Sequence, residues 1–128
     1  TSFRSLKQPL HRRTLRLESR YQISIYEPKS SHEESLLRFA KVDFNILQIL
    51  YNTELQEVTR WWRRLDLTKK LPFLRDRVVE ACFWILGAYY EPRYSLARIF
   101  NAKLFKIVSV IDDIYDSYGT VDELQLFT

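Results

Sequence analysis

Between Leu36 and Leu65 apolar side chains return at alternating intervals of three and four residues, through Ala40, Phe44, Leu47, Tyr51, Leu55, Val58 and Trp62. That period belongs to one face of an α-helix, and a stripe of this length predicts a long amphipathic one. Ser31 and Glu34 have the spacing of a capping box and predict its start. Pro72 interrupts the next stretch, and Arg75 to Tyr90 reads as a second helix, apolar almost all round after Glu80 and so expected to be buried. Glu91-Pro92 breaks that pattern; a third helix is expected from Arg93 to about Ser117, with Gly119 as its stop. Thr120 and Glu123 repeat the capping pattern, so Val121 to Thr128 reads as the opening of a further helix. Glycine totals two, and there is no series of short strands, glycine-rich phosphate loop or nucleophile elbow. An all-α fold is expected, and nucleotide and serine-hydrolase chemistries drop out.

Ahead of Ser31 the chain is less regular. Pro9, the alternation in Tyr21 to Tyr26, and Pro28 predict a connecting segment with a domain boundary near residue 30. The first twenty residues carry a local charge of +5 within a total of +4. A basic arm suits nucleic acid or an anionic membrane, yet no glycine-rich RNA signature or zinc-finger spacing accompanies it, so no nucleic-acid partner is expected. The longest apolar run, Ala81 to Tyr90, has ten residues; a bilayer span needs about 20. Cys82 is the only cysteine, which precludes an internal disulfide and suits a structural, buried role. His11 and His32 lie in polar surroundings and read as surface residues. A chain that starts at Thr1 without any methionine and stops just inside an expected helix reads as an excerpt.

Against this apolar background stands the run Asp112-Asp113-Ile114-Tyr115-Asp116, downstream of Phe105, Ile107, Val108 and Val110. Carboxylates in such a setting need a cationic partner. On a helix Asp112 and Asp116 share a face, where like charges repel, and Asp113 points about a third of a turn away. They would also oppose the macrodipole near a helix C-terminus. A divalent metal resolves the conflict, and hard oxygen donors point to magnesium rather than zinc or copper. An EF-hand is excluded: counted from Asp113, the positions that need carboxylates and a turn glycine hold Tyr115, Ser117 and Tyr118. A solvated acidic helix end is the plain alternative. Arg75 and Arg77 flank Asp76 at the expected start of the second helix, where amides and planar guanidiniums suit a diphosphate oxygen; a surface charge cluster is the plain reading there. Trp84 follows Arg77 by seven residues on the same face, either as core or as an aromatic wall able to stabilise a carbocation.

Taken in order, Arg60-Trp61-Trp62, Leu71-Pro72-Phe73-Leu74-Arg75-Asp76-Arg77, Phe83-Trp84, Tyr90-Glu91-Pro92 and Asp112-Asp113-Ile114-Tyr115-Asp116-Ser117-Tyr118-Gly119-Thr120 resemble the plant class I terpene synthases. Pro9-Leu10-His11-Arg12-Arg13 with Leu17-Glu18-Ser19-Arg20 resembles the end of that family's amino-terminal helical domain, and Leu37 to Leu55 the start of its catalytic one. The resemblance implies a class I isoprenoid-synthase helical fold, with residues 1–30 closing the amino-terminal domain and 31–128 opening the metal-binding catalytic domain.

It further implies a prenyl diphosphate substrate and magnesium, for which manganese can substitute. Asp112 and Asp116 would be direct ligands and Asp113 a partner orienting them; Arg75 and Arg77 would take the departing diphosphate, and Trp84 would line the hydrocarbon pocket. The family's second acidic metal motif belongs downstream, so the full metal cluster is not expected within these residues. A cytoplasmic sesquiterpene synthase acting on farnesyl diphosphate, monomeric at full length, is the preferred expectation. Its alternatives are a plastid monoterpene synthase using geranyl diphosphate and a non-catalytic helical relic; a prenyl-elongating synthase shares the aspartate logic but not the arginine and tryptophan segments. The isolated excerpt is expected to be inactive.

Overall fold

The computed structural model describes residues 13–127, and among them every regular element is helical. In chain order these are α1 (Leu15–Tyr26), α2 (Glu34–Leu65), the single turn α3 (Leu67–Lys70), α4 (Val78–Ala88), a 3-10 turn (Pro92–Tyr94), α5 (Ser95–Asp113), a π-helical segment (Ile114–Tyr118) and α6 (Val121–Phe127).

The long helix α2 ends at Asp66, whose φ of 52° is left-handed, a conformation aspartate tolerates better than most residues. Arg63 and Arg64 in its last turn complement the negative end of the dipole. Leu71, restricted by Pro72, then turns the chain back toward α4. α4 packs chiefly on α5, and α2 lies against both. The core between them consists of Val58 and Trp62 from α2, Leu74, Val78 and Ile85 from the α4 segment, and Ala102 and Val110 from α5. Burying each large side chain contributes about 1.5 to 3 kcal/mol, so this seam holds the three helices together.

Several boundaries differ from expectation. Residues 15–26 form a helix where a connecting segment was expected, because two of its three buried residues, Arg16 and Glu18 beside Ile23, are charged and escape an apolar count. Arg16 donates to the Phe44 carbonyl at 3.0 Å with its guanidinium 4.1 Å from the Phe44 ring, so at least this part of the basic arm is structural. The arm's first three basic residues, and His11, lie outside the described residues. His32 has its ring nitrogens 2.6 Å from the Lys29 carbonyl and 3.2 Å from Glu34. Glu34 is thereby diverted, no capping box forms at Ser31, and α2 starts from Glu33 without a side-chain cap. Its buried stripe takes Leu37 rather than Leu36, and includes Glu54.

The second helix starts at Val78, not Arg75, and buries one stripe only; Val79, Phe83 and Trp84 are exposed. The expected capping box at Thr120 does form, with the Thr120 N–H and hydroxyl donating to the Glu123 carboxylate at 3.0 and 2.7 Å. Gly119 ends the π segment at φ −76°, so its lack of a side chain matters for space: a Cβ there would stand 2.7 Å from Leu124 Cδ2 and 3.1 Å from the Ile114 carbonyl oxygen.

Candidate active site

The aspartate run and the arginine segment meet in space. Arg75 Nη2 donates to Asp113 Oδ1 at 3.0 Å across 38 residues of sequence. The meeting follows from the register of α5, whose buried stripe runs Arg98, Ala102, Lys106, Val110, Asp113. Asp113 is the last member of that stripe and is 5% exposed, whereas Asp112 and Asp116 are exposed. The middle aspartate is therefore committed to Arg75, apart from the exposed Asp112 and Asp116. Among the described residues no group of three or more His, Cys, Asp or Glu stands close enough to hold a metal ion. Burial pushes the Asp113 carboxyl up, but the hydrogen bonds and charge of Arg75, assisted by Arg77, outweigh it and hold the group below the usual carboxylate range. Its second oxygen, Oδ2, is buried without a hydrogen-bond partner, an arrangement native proteins rarely leave uncompensated.

The regular helix stops at Asp113, so Asp116 sits in the five-residue π-helical segment rather than on a continuing α-helix. Arg75 and Arg77 occupy non-helical backbone just before α4, with Arg77 at the N-cap position. Asp76 between them caps the helix instead, accepting from the Val78 N–H at 3.3 Å. A cation at a helix N-terminus opposes the dipole. Arg77 is half-buried, with Nε 3.7 Å from the Glu80 carboxylate. With Trp84, Phe105, Lys106 and Ser109 it lines a hollow of about 40 Å³. Trp84, an exposed residue, meets Phe105 edge to face at 6.0 Å and 88°. Phe105 precedes Asp112 by two helical turns and lies on the same face of α5. Ligand pockets occupy about 300 to 1,000 Å³, so this hollow is a floor rather than a complete pocket. A cavity of about 200 Å³ lies elsewhere, between α2, α4 and α5, lined by Tyr51, Glu54, Cys82 and Arg98 among others and by none of the candidate residues.

Sequence reasoning missed two charged residues of the α5 stripe. Lys106 is 1% exposed; its Nζ donates to the Arg75 carbonyl at 2.7 Å and lies 4.3 Å from the centroid of the Trp62 ring. Burial pushes its ammonium below the usual lysine range, opposed by Asp76 and Asp113. Arg98 forms a buried bidentate pair with Glu54. The available signal was the spacing: both lysine and arginine fall in register with Ala102, Val110 and Asp113.

Superposed on solved structures, the chain matches isoprene synthase from grey poplar leaves (Populus x canescens) with a TM-score of 0.92 at 48% identity, covering 97% of this chain and 23% of that one. It matches limonene synthase, solved with 2-fluorolinalyl diphosphate, with a TM-score of 0.90 at 41% identity, covering 96% and 23%. The fold is thus the class I helical fold of these enzymes. Residues 63–128 match the family described as "Terpene synthase family, metal binding domain", and the chain belongs to the terpene synthase family. It is 57% identical to "Probable terpene synthase 2" of Ricinus communis, over 98% of this chain and 23% of that protein. It is 56% identical to "Sesquiterpene synthase 2" of Toona sinensis, over 97% and 22%. The chain therefore spans about a quarter or less of the length of these relatives.

Proposed function

We propose that the protein carrying this chain ionises farnesyl diphosphate and cyclises the resulting cation to a sesquiterpene, releasing diphosphate. The observation that carries the reading is the Arg75–Asp113 contact, which sets the arginine segment against the end of α5, where Asp112 and, in the π-helical segment that follows, Asp116 are exposed. Exposed carboxylates offer hard oxygen donors, a set that fits magnesium or manganese. Asp112 and Asp116 would hold the metal, which when bound supplies positive charge to the leaving diphosphate. Asp113 acts through Arg75. The Arg75 and Arg77 guanidiniums bind diphosphate oxygens and keep the anion from recapturing the cation, an interaction strongest when the leaving group is fully charged. Trp84, paired with Phe105, presents an aromatic surface to the hydrocarbon and to developing positive charge.

Farnesyl diphosphate is preferred because relatives named sesquiterpene synthases match the chain at 56% identity. In this reading residues 31–128 open the catalytic domain, 1–30 close the domain before it, and the parent is a cytoplasmic monomer. No helix among the described residues is long and apolar enough to cross a membrane. The test is product analysis by gas chromatography of the full-length parent with farnesyl and with geranyl diphosphate, each with magnesium and with chelator. Metal-dependent sesquiterpene formation from the farnesyl substrate is expected; turnover of the geranyl substrate alone would move the assignment to a monoterpene synthase, and no turnover of either would refute it.

A further inference from the structure

We propose that Lys106 is the positioning residue of the arginine segment, fixing through the Arg75 carbonyl the backbone from which the Arg75 side chain reaches Asp113 and the Arg77 side chain reaches the hollow. The inference rests on the functional reading above and adds a residue to it. The backbone of residues 75–77 is irregular; a backbone hydrogen bond from the Leu74 N–H to the Leu71 carbonyl precedes it, and at its end the Arg77 carbonyl accepts from the Ala81 N–H. Lys106 supplies the contact at its first residue, at 2.7 Å to the carbonyl of Arg75. Two turns further along the same stripe, Asp113 takes the guanidinium of that same residue. α5 therefore grips Arg75 twice, once by its backbone and once by its side chain, and Arg77 follows two residues on at the edge of the hollow.

An ammonium at this depth is costly, and an apolar side chain of similar length would fill the space without that cost. Lys106 is only 1% exposed, so although it borders the hollow its side chain is held by the protein. The Arg75 carbonyl and the face of Trp62 are its partners. What the charge secures is the geometry of the segment, and a planar guanidinium fork recognises a diphosphate only when its backbone is held in place.

Lys106→Met in the full-length parent keeps the stem but removes the charge and the donor. Binding of inorganic diphosphate in the presence of magnesium, measured by titration calorimetry, should weaken about tenfold, with kcat falling more than KM rises. A purely structural lysine would lower thermal stability and leave both quantities alone. A folded Met variant that binds inorganic diphosphate as wild type does therefore overturns the proposal. Should that variant fail to fold, Lys106→Arg decides: diphosphate affinity kept within about threefold supports the carbonyl contact, and a larger loss overturns it. A wild-type parent that neither binds inorganic diphosphate nor turns over a prenyl diphosphate removes the functional reading and this proposal together, a result distinct from a normal wild type with an indifferent Met variant.

Discussion

Glu54→Ala should be among the most damaging single substitutions far from the candidate site. Arg98 is 3% exposed; its Nε and Nη2 donate to the two Glu54 carboxylate oxygens at 2.8 and 2.7 Å, and its Nη1 donates to the Tyr89 and Glu91 carbonyls at 3.0 and 2.6 Å. Glu54→Ala removes two of these four bonds and leaves a buried guanidinium without its counter-charge, which costs about 3 to 5 kcal/mol when a buried pair is broken from one side. The two surviving carbonyl contacts hold the expectation near the lower end, about 3 kcal/mol. The double variant Glu54→Leu with Arg98→Met removes both charges and strands only the carbonyls of Tyr89 and Glu91, neither of them fully buried. It should cost about 1 to 2 kcal/mol, less than the single change. Urea unfolding of the full-length parent, compared at matched m-values, measures both. A single variant losing under about 1 kcal/mol, or a double variant worse than the single, would refute the assignment of stability to charge pairing.

Gly119→Ala should destabilise by about 1 kcal/mol, since the Leu124 side chain can give way but the Ile114 carbonyl, which accepts the Gly119 N–H at 2.7 Å, cannot do so freely; an unchanged urea midpoint would show the space is slack. Burial, with a contribution from Glu54, pushes the Cys82 thiol up to about 11. Mass spectrometry of the Cys82 peptide should therefore show iodoacetamide labelling at pH 8 at least about tenfold slower than for free cysteine, because only about one thiol in a thousand is ionised. Phe39, Ile49, Leu96 and Phe100 are 70%, 67%, 83% and 66% exposed, so the isolated chain should associate, and a monodisperse monomer by light scattering would contradict that.

The helical architecture was legible because apolar periodicity in α2 and α5 is strong and the Pro72 and Pro92 breaks are local. α1 was not, since its buried residues include Arg16 and Glu18, which a hydrophobic count scores as surface. The start of α4 was misplaced because Asp76 rather than Arg75 provides the local cap. At the site, the residue types and their order were readable, but their directions were not. Whether Asp113 or Asp112 faces the core depends on the register of α5 against α4, and that register is fixed by Ala102 and Val110 in the core. Lys106 and Arg98 stayed hidden for a related reason: their partners are backbone carbonyls and a carboxylate brought close only by packing.

We propose a division of labour in which Asp112 and Asp116 face the metal and diphosphate while Asp113 acts through Arg75. The most direct measurement compares the magnesium dependence of turnover in full-length Asp112→Ala and Asp113→Asn. Asp112→Ala should lower kcat by more than about 100-fold and raise the magnesium concentration needed for half-maximal rate. Asp113→Asn should lower kcat by about tenfold, through a loosened arginine segment, with the magnesium requirement unchanged. Equal and mild losses in the two variants, or a shifted magnesium requirement in Asp113→Asn alone, would show that the aspartates do not divide these roles.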